Sequence, residues 1–599
     1  MMRTNTMVAL LFALFFSIGS ADVLAEGIVL QNAENREGFV LDGLWNVRLA
    51  PFRGGNGKGM SKPMKPGAKD ESFVDRLAVP GDWNTQAEKL YYYEGSVFYK
   101  RNFKWKKNSA KRYILHFGAA NYEAEVFLNG NTIGTHKGGF TPFDFEVTDE
   151  LLNGDNTLVV KVTNQRKKES IPTIRFDWWN YGGLTRSVKL VEVGETFISD
   201  YSVALDQNDK RMISGWTQLD GKYQGKEVTV EIPELKIKKS VTVSDNGKAE
   251  FIVKPKRLEL WSPETPKLYT VRLTVGDDKV EDKIGFRSIE TKNGDILLNG
   301  KKVFLRGINL HEEAPMGGGR LTTAEECRTL LGWAKELGCN FVRLAHYPHS
   351  EMMVREAERM GLMVWAEIPV YWKIDFENET AYANAEQMLV EMVQRDRNRA
   401  SVILWSVANE TRESEARQRF LGNLLKKTKE LDPVRLTTAA LEAFKEVDGV
   451  RVIDDPLGDL VDVLGVNCYC GWYFRKPTEC PELGWEIKFD KPVIFSEFGA
   501  GALQGHYGDK SEKWTEEYQE EVYRQNIGMI KEQMPFLDGM TPWILVDFRS
   551  PIRPNRVIQN DYNRKGLLSE KGVRKKAFYV LQKFYQELEE KAFGKGKVQ

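Results

Sequence analysis

Cysteine is scarce in this chain, and neither sign of charge is in excess. Five cysteines in 599 residues (Cys327, Cys339, Cys468, Cys470 and Cys480) are too few for a disulfide scaffold. Cys468 and Cys470 have no second pair at zinc-site spacing, so free or buried thiols are expected and no metal. Lys plus Arg and Asp plus Glu both number 85, which excludes a global field drawing the chain to nucleic acid or to an anionic membrane. Charge selectivity must therefore be local. Beyond the N-terminus no stretch approaches the ~18 consecutive apolar residues of a membrane helix. The exception is the apolar run 7–18, which follows Arg3 and leads to Val23-Leu24-Ala25. That pattern reads as a secretory signal over residues 1–25, cut after Ala25, and implies a periplasmic or secreted protein with no membrane insertion after cleavage.

The length requires several domains. Residues 26–194 carry short alternating strands with Gly, Asn and Asp turns, and Asn129-Gly130 is a hairpin signal between two of them. This predicts an all-β sandwich, dense in aromatics. Residues 195–289 hold a second β stretch of the size of a seven-stranded, immunoglobulin-like sandwich, without clustered catalytic residue types.

From residue 290 to 599 the pattern changes to continuous apolar runs separated by helical segments: 303–311, 340–348, 362–369, 402–410, 435–441, 461–469, 492–499 and 540–548. Eight such runs predict an eight-stranded parallel barrel. One intervening helix is legible in detail. Thr323-Ala-Glu-Glu326 fits a capping box, Cys327, Leu330, Leu331, Ala334 and Leu337 form a stripe, and Gly338 sits where a C-terminal cap belongs.

In such barrels the reactive groups come from the C-terminal ends of the strands. Those ends offer His311 and Glu312, Arg343 and His346, Glu367, Asn409 and Glu410, Asn467 and Tyr469, Glu497, and Trp543 and Asp547. Glu410 and Glu497 fall on strands four and seven, across the barrel from each other. Two carboxylates about 5 to 5.5 Å apart suit a retaining glycosidase, one protonating the leaving oxygen and the other attacking the anomeric carbon. The charge on Glu497 would raise the pKa of Glu410 and keep it protonated.

The order of two β-sandwiches and a barrel, with GINLHEE, FVRLAHYP, WSVANE, GVNCYCGWY and FSEFGA, resembles glycoside hydrolase family 2 over essentially the whole mature chain. The resemblance implies a jelly-roll-like sugar-binding domain, an immunoglobulin-like domain and a (β/α)8 TIM barrel. It implies Glu410 as acid/base, Glu497 as nucleophile and Asn409 as the ligand of the sugar 2-hydroxyl. Tyr469 would lie against the nucleophile, and His346 and Asn467 would bind sugar hydroxyls, with Trp543 also on the substrate. Asn563-Arg564-Lys565 resembles the Asn-x-Lys motif with which β-glucuronidases of this family hold the C6 carboxylate. FDWWNYGG, with Asp177 reaching across to the sugar, and Tyr469 with Tyr473 fit the same group. One departure is plain: that group has an arginine four residues before the motif asparagine, and here Gln559 stands there, leaving Arg553 or Arg556 as substitutes or no contact at all. The segment between Pro369 and strand four is short and implies an open pocket.

The expected activity is thus exo-acting, retaining hydrolysis of terminal β-glucuronides, without cofactor, on a carbohydrate that is a small glucuronide or a uronic-acid-terminated oligosaccharide. The alternatives are a β-galacturonidase, which differs only at C4, a neutral-sugar β-galactosidase or β-mannosidase, and a non-catalytic carbohydrate-binding protein. A homo-oligomer is the common default for an enzyme of this size.

Overall fold

A computed structural model describes residues 30–50, 75–443 and 445–593; the signal segment lies outside the described residues. The first unit is a sandwich of two antiparallel sheets. One has six strands in the spatial order Asp75–Val79, Gly43–Leu49, Ser96–Trp105, Gly154–Thr163, Glu123–Leu128 and Asn131–Lys137, and the other has four, Gly38–Val40, Val188–Val193, Arg112–Phe117 and Phe143–Glu146. Their inner faces bury Trp45, Trp83, Tyr99, Tyr113 and Phe117. The Asn129-Gly130 turn forms as the dipeptide dictates. Both residues have positive φ, 55° and 91°, the pairing that a two-residue hairpin needs to match strand twist.

The second unit has seven strands in sheets of three and four, from Phe197–Leu205 to Asp278–Ile284, around a core of Tyr201, Val230, Phe251 and Leu273. The third is a closed barrel of eight parallel strands. They are β1 (Leu305–Leu310), β2 (Phe341–Leu344), β3 (Met363–Glu367), β4 (Val402–Asn409), β5 (Leu436–Glu442), β6 (Val463–Asn467), β7 (Val493–Glu497) and β8 (Leu537–Met540). Leu305 pairs with Gly539 to close the ring. The strands read as unbroken apolar runs because both faces are covered: every residue of β4 is buried. The helix Ala324–Glu336 has the reciprocal Thr323–Glu326 capping box, and Gly338 follows at φ 96°, a left-handed cap that costs glycine nothing.

Two expectations need correction. The eighth strand comes earlier than the run 540–548: it ends at Met540, and Pro542, which has no N–H for a ladder, begins a buried crossing segment. That segment is apolar because loops cover it. Among the described residues no α-helix follows β5 or β6. Short 3₁₀ turns, Pro456–Asp459 and Pro477–Glu482, and small strands replace them. No helix among the described residues is long and apolar enough to cross a membrane.

The first sandwich is fixed onto the barrel rim by buried polar contacts. Arg186 and Arg320 flank Glu312 at 3.2 and 3.7 Å, and the backbone N–H of Arg320 donates to Asp82 at 3.0 Å. A loop of the sandwich is thereby held over the barrel mouth. Its Trp178 packs against His311, His346, Tyr347 and Tyr371. Asp177, next in chain, is delivered by the same loop.

Candidate active site

The strand order explains how Asn409 and Glu410 come to end a buried strand. The Glu410 N–H continues the ladder to Ala440 O at 2.9 Å, and then the chain turns with Glu410 at φ 48°. A left-handed φ in a non-glycine residue costs roughly 1–2 kcal/mol, a strain that a mere turn would have avoided with glycine. It turns the Glu410 carboxyl into a cleft of about 370 Å³ at the C-terminal mouth of the barrel.

Glu410 Oε2 accepts from Trp372 Nε1 at 2.8 Å and Oε1 from Asn467 Nδ2 at 3.0 Å. Burial, and after it the charge of Glu497, push the Glu410 carboxyl up to about 7, against the opposing hydrogen bonds from Asn467 and Trp372. The charge of Glu497 thus raises Glu410 as expected, with desolvation as the larger cause. Glu497 is held differently. Its Oε1 accepts from Arg343 Nη1 at 2.8 Å and its Oε2 from the Tyr469 hydroxyl at 2.6 Å. One carboxyl is thus about half protonated at neutral pH, and the other is paired with a guanidinium.

Arg343 joins the site together. Fully buried, it donates to Glu367 through Nε and Nη2, both at 3.0 Å, to Glu497, and to Asn409 Oδ1 at 2.7 Å. Asn409 lies just behind the cleft wall, and its Nδ2 is a buried donor without a partner among the described residues, as a sugar hydroxyl would require. His346 Nδ1 is bound to Glu367 Oε1 at 2.8 Å, its Nε2 lies 3.9 Å from Glu497 Oε1, and the ring stacks on Trp543 at 4.7 Å. Asn467 lines the cleft; its amide nitrogen donates to Glu410 and Asn409, and its oxygen accepts from Ser496 at 2.7 Å, so it holds the Glu410 carboxyl in place.

The opposite wall carries Asp177, Arg553, Asn563, Lys565 and Tyr473. Lys565 Nζ donates to the Tyr473 hydroxyl at 2.8 Å and lies 5.3 Å from the Tyr469 ring centroid. Burial raises the Tyr473 hydroxyl, but Lys565 and Arg553 outweigh it and bring it below its ordinary value. Arg564, between the motif residues, turns away to Asp547 and Glu570, fixing the loop so that its two neighbours enter the cleft.

Not every polar strand end converges here. His311 and Glu312 lie off the cleft, and Asp547 is clamped by Lys575 at 2.8 Å and by Arg564. Conversely, Trp372, Arg175 and Glu442 line the cleft without having been singled out in the sequence. Glu442 ends β5, the position that a search of strand ends should have included. Burial and the charge of Glu410 push it up to about 8, so it is a second neutral acid beside the first.

Cys470 and Cys480, expected as thiols, form a disulfide with Cα atoms 5.8 Å apart, while Cys327, Cys339 and Cys468 are free and buried. The bond closes the loop that begins beside Tyr469 and carries Tyr473. Sequence spacing could not show this, since the 3₁₀ turn Pro477–Glu482 brings Cys480 back. Replacing both cysteines with serine is expected to lower unfolding free energy by about 2–3 kcal/mol, the loop-entropy value for so short a ring, and to raise KM through the loosened tyrosines. Urea melts and steady-state kinetics check both.

A closed β/α barrel with two carboxyl groups at the ends of β4 and β7, one with a raised pKa and the other paired with a buried arginine over a single cleft, defines a glycoside hydrolase. The chain belongs to the glycosyl hydrolases family 2. The family's sugar binding domain matches residues 41–194, its central domain 196–287 and its TIM barrel domain 289–590. Among curated relatives, the β-glucuronidase of Rattus norvegicus is 29% identical over 622 residues, spanning 94% of this chain and 93% of its own. That of Paenibacillus borealis is 27% identical over 610 residues, spanning 92% and 97%. The solved β-galacturonidase of Eisenbergiella tayi bound to galacturonate superposes with a TM-score of 0.79 at 26% identity, covering 92% of this chain and 97% of its own. The β-glucuronidase of Bifidobacterium dentium complexed with coumarin-3-O-glucuronide has the same fold, with a TM-score of 0.82 at 24% identity over 94% and 99%.

Proposed function

We propose that this chain is an exo-acting, retaining β-glucuronidase. The observation that carries the reading is the wall of Lys565, Asn563 and Arg553 in the same cleft as Glu410 and Glu497. An ammonium and a guanidinium there favour a C6 carboxylate over a neutral hydroxymethyl, since charged hydrogen bonds contribute about 1.5–3 kcal/mol each. Relatives named β-glucuronidase over nearly their whole length support it. The cleft volume, at the lower end of ligand-sized cavities, supports removal of one terminal sugar.

In this reading Glu497 attacks the anomeric carbon as Glu410 protonates the departing oxygen, giving a glycosyl ester on Glu497. Glu410, now an anion, takes a proton from the water that attacks the same carbon, and Glu497 is released. Asn409 Nδ2 donates to the 2-hydroxyl, and Arg343 and Tyr469 orient the nucleophile. Because the acid must be protonated, kcat/KM falls as pH rises through about 7, the value to which Glu410 is pushed. A pH–rate profile with 4-nitrophenyl β-D-glucuronide checks it, and a flat profile to pH 9 would remove Glu410 as the acid.

Lys565→Ala should lower kcat/KM for the glucuronide by about 10- to 1,000-fold. Unchanged activity, or equal turnover of galactoside and glucuronide, would sink the uronate assignment. A second reading, β-galacturonidase, is favoured by the galacturonate-bound relative, because the same cations would hold either C6 carboxylate. Aryl glycosides differing only at C4 separate the two. We further infer export: the segment 1–25 reads as a signal, and the Cys470–Cys480 disulfide suits an oxidising compartment. Mass spectrometry of the mature protein should find Glu26 at its N-terminus.

A further inference from the structure

The arginine that the β-glucuronidase pattern places four residues before Asn563 is replaced here by Gln559. Neither Gln559 nor the exposed Arg556 reaches the cleft wall, whereas Arg553 does. The backbone explains why. Phe548 pairs with Asn563 and Arg549 with Tyr562, and the loop between them is closed by Ser550 N–H to Asp561 O at 2.7 Å and Asp561 N–H to Arg553 O at 3.0 Å. Arg553 is therefore ten residues from Asn563 in sequence and beside it at the stem of the loop.

Asp177 gathers this wall. Its Oδ1 accepts from Ser550 Oγ at 2.5 Å and from Arg553 Nε at 3.1 Å, while its Oδ2 accepts from Arg553 Nη2 and from Asn563 Nδ2 at 3.1 Å. Both oxygens are thus engaged by protein donors. The two-point grip on Nε and Nη2 fixes the plane of the guanidinium and leaves Nη1 without an acceptor among the described residues. Lys565 lies on the same wall, and both cations act on the Tyr473 hydroxyl. Two cations against one carboxylate leave the wall one charge short of neutrality, which an anionic substituent supplies.

We propose that Arg553, aimed by Asp177, supplies the guanidinium contact to the substrate's C6 carboxylate in place of the arginine missing at Gln559. The inference rests on the uronate reading above and names the second cation of that site. Asp177 is a positioning residue here, and its expected direct contact with the sugar is replaced by action through Arg553. Nη1 and Lys565 Nζ then approach the carboxylate from two sides, the geometry that distinguishes a planar anion from a hydroxymethyl group.

The test is a pair of ligands: the 1,5-lactam of glucaric acid, which carries the C6 carboxylate, and that of gluconic acid, which carries a hydroxymethyl. Calorimetry on Arg553→Met should show affinity for the first reduced about 10- to 100-fold and for the second within about three-fold, with Arg553→Lys between. Asp177→Asn should weaken the carboxylate ligand too, and add nothing further in the Arg553→Met background, because both act through one contact. Equal loss for both lactams would make Arg553 structural, and no loss for either would remove it from the site. Lys565→Ala, measured alongside, keeps the two ideas apart. If it loses selectivity and Arg553→Met does not, the Arg553 assignment fails and the uronate reading stands. If the wild type binds both lactams equally, the uronate reading itself fails.

Discussion

Glu497→Gln is expected to lower kcat on 4-nitrophenyl β-D-glucuronide by roughly 10⁴- to 10⁶-fold, the range seen when a catalytic nucleophile is removed. The amide is nearly isosteric, and its oxygen can still accept from Arg343 while its NH2 donates to the Tyr469 oxygen, so the wall of the cleft survives and binding of a substrate analogue persists. What disappears is the anionic oxygen that forms the ester. Arg343 sharpens the prediction, because its Nη1 loses an anionic partner while Glu367 still holds Nε and Nη2. A variant that retained a tenth of wild-type kcat would exclude Glu497 as the nucleophile. A wild type that failed to hydrolyse any aryl glycoside would favour the carbohydrate-binding alternative.

Removal of Glu410 has a different signature. General acid catalysis contributes about 10² to 10⁴, and only where the leaving group needs a proton. Glu410→Gln should therefore lose little of the glycosylation rate on 4-nitrophenyl β-D-glucuronide, whose phenolate leaves unaided, and about 10³-fold or more on an alkyl glucuronide. Deglycosylation also slows, since no base activates water, and a burst of nitrophenol followed by slow turnover is the expected trace. The same variant should lose the limb near pH 7, because the group that titrates there is gone. Equal losses on both substrates would assign the acid elsewhere, and Glu442, in the same cleft, is the residue to examine next.

Much of this was legible in sequence because barrel strands have a strong signature. Runs buried on both faces lack alternation, and seven of the eight lie where the text puts them. The eighth misled because a buried crossing segment, 541–547, is as apolar as a strand and only Pro542 marks the difference. Glu410 and Glu497 could be found because strand ends are few. Glu442 escaped because its raised pKa depends on burial, which no motif encodes. Asn467 shows the converse limit: its residue type and position were right, but hydrogen bonds to Glu410, Asn409 and Ser496 decide what it touches. The disulfide, across 10 residues, and the Asp177–Arg553 pair, across 376, are set by how the chain folds back, and no motif announces either.

Under the proposed mechanism, the mutual influence of the two carboxylates also orders the reaction in time. While Glu497 is an anion it helps to hold the proton on Glu410, so the site rests as acid plus nucleophile. Once Glu497 is esterified to the sugar its charge is gone, the repulsion on Glu410 vanishes, and Glu410 has just given its proton away. With that repulsion gone its pKa falls, which favours the ionised form that a base needs. The ester is thus its own signal that the first half is over, and its hydrolysis restores the charge that resets the acid.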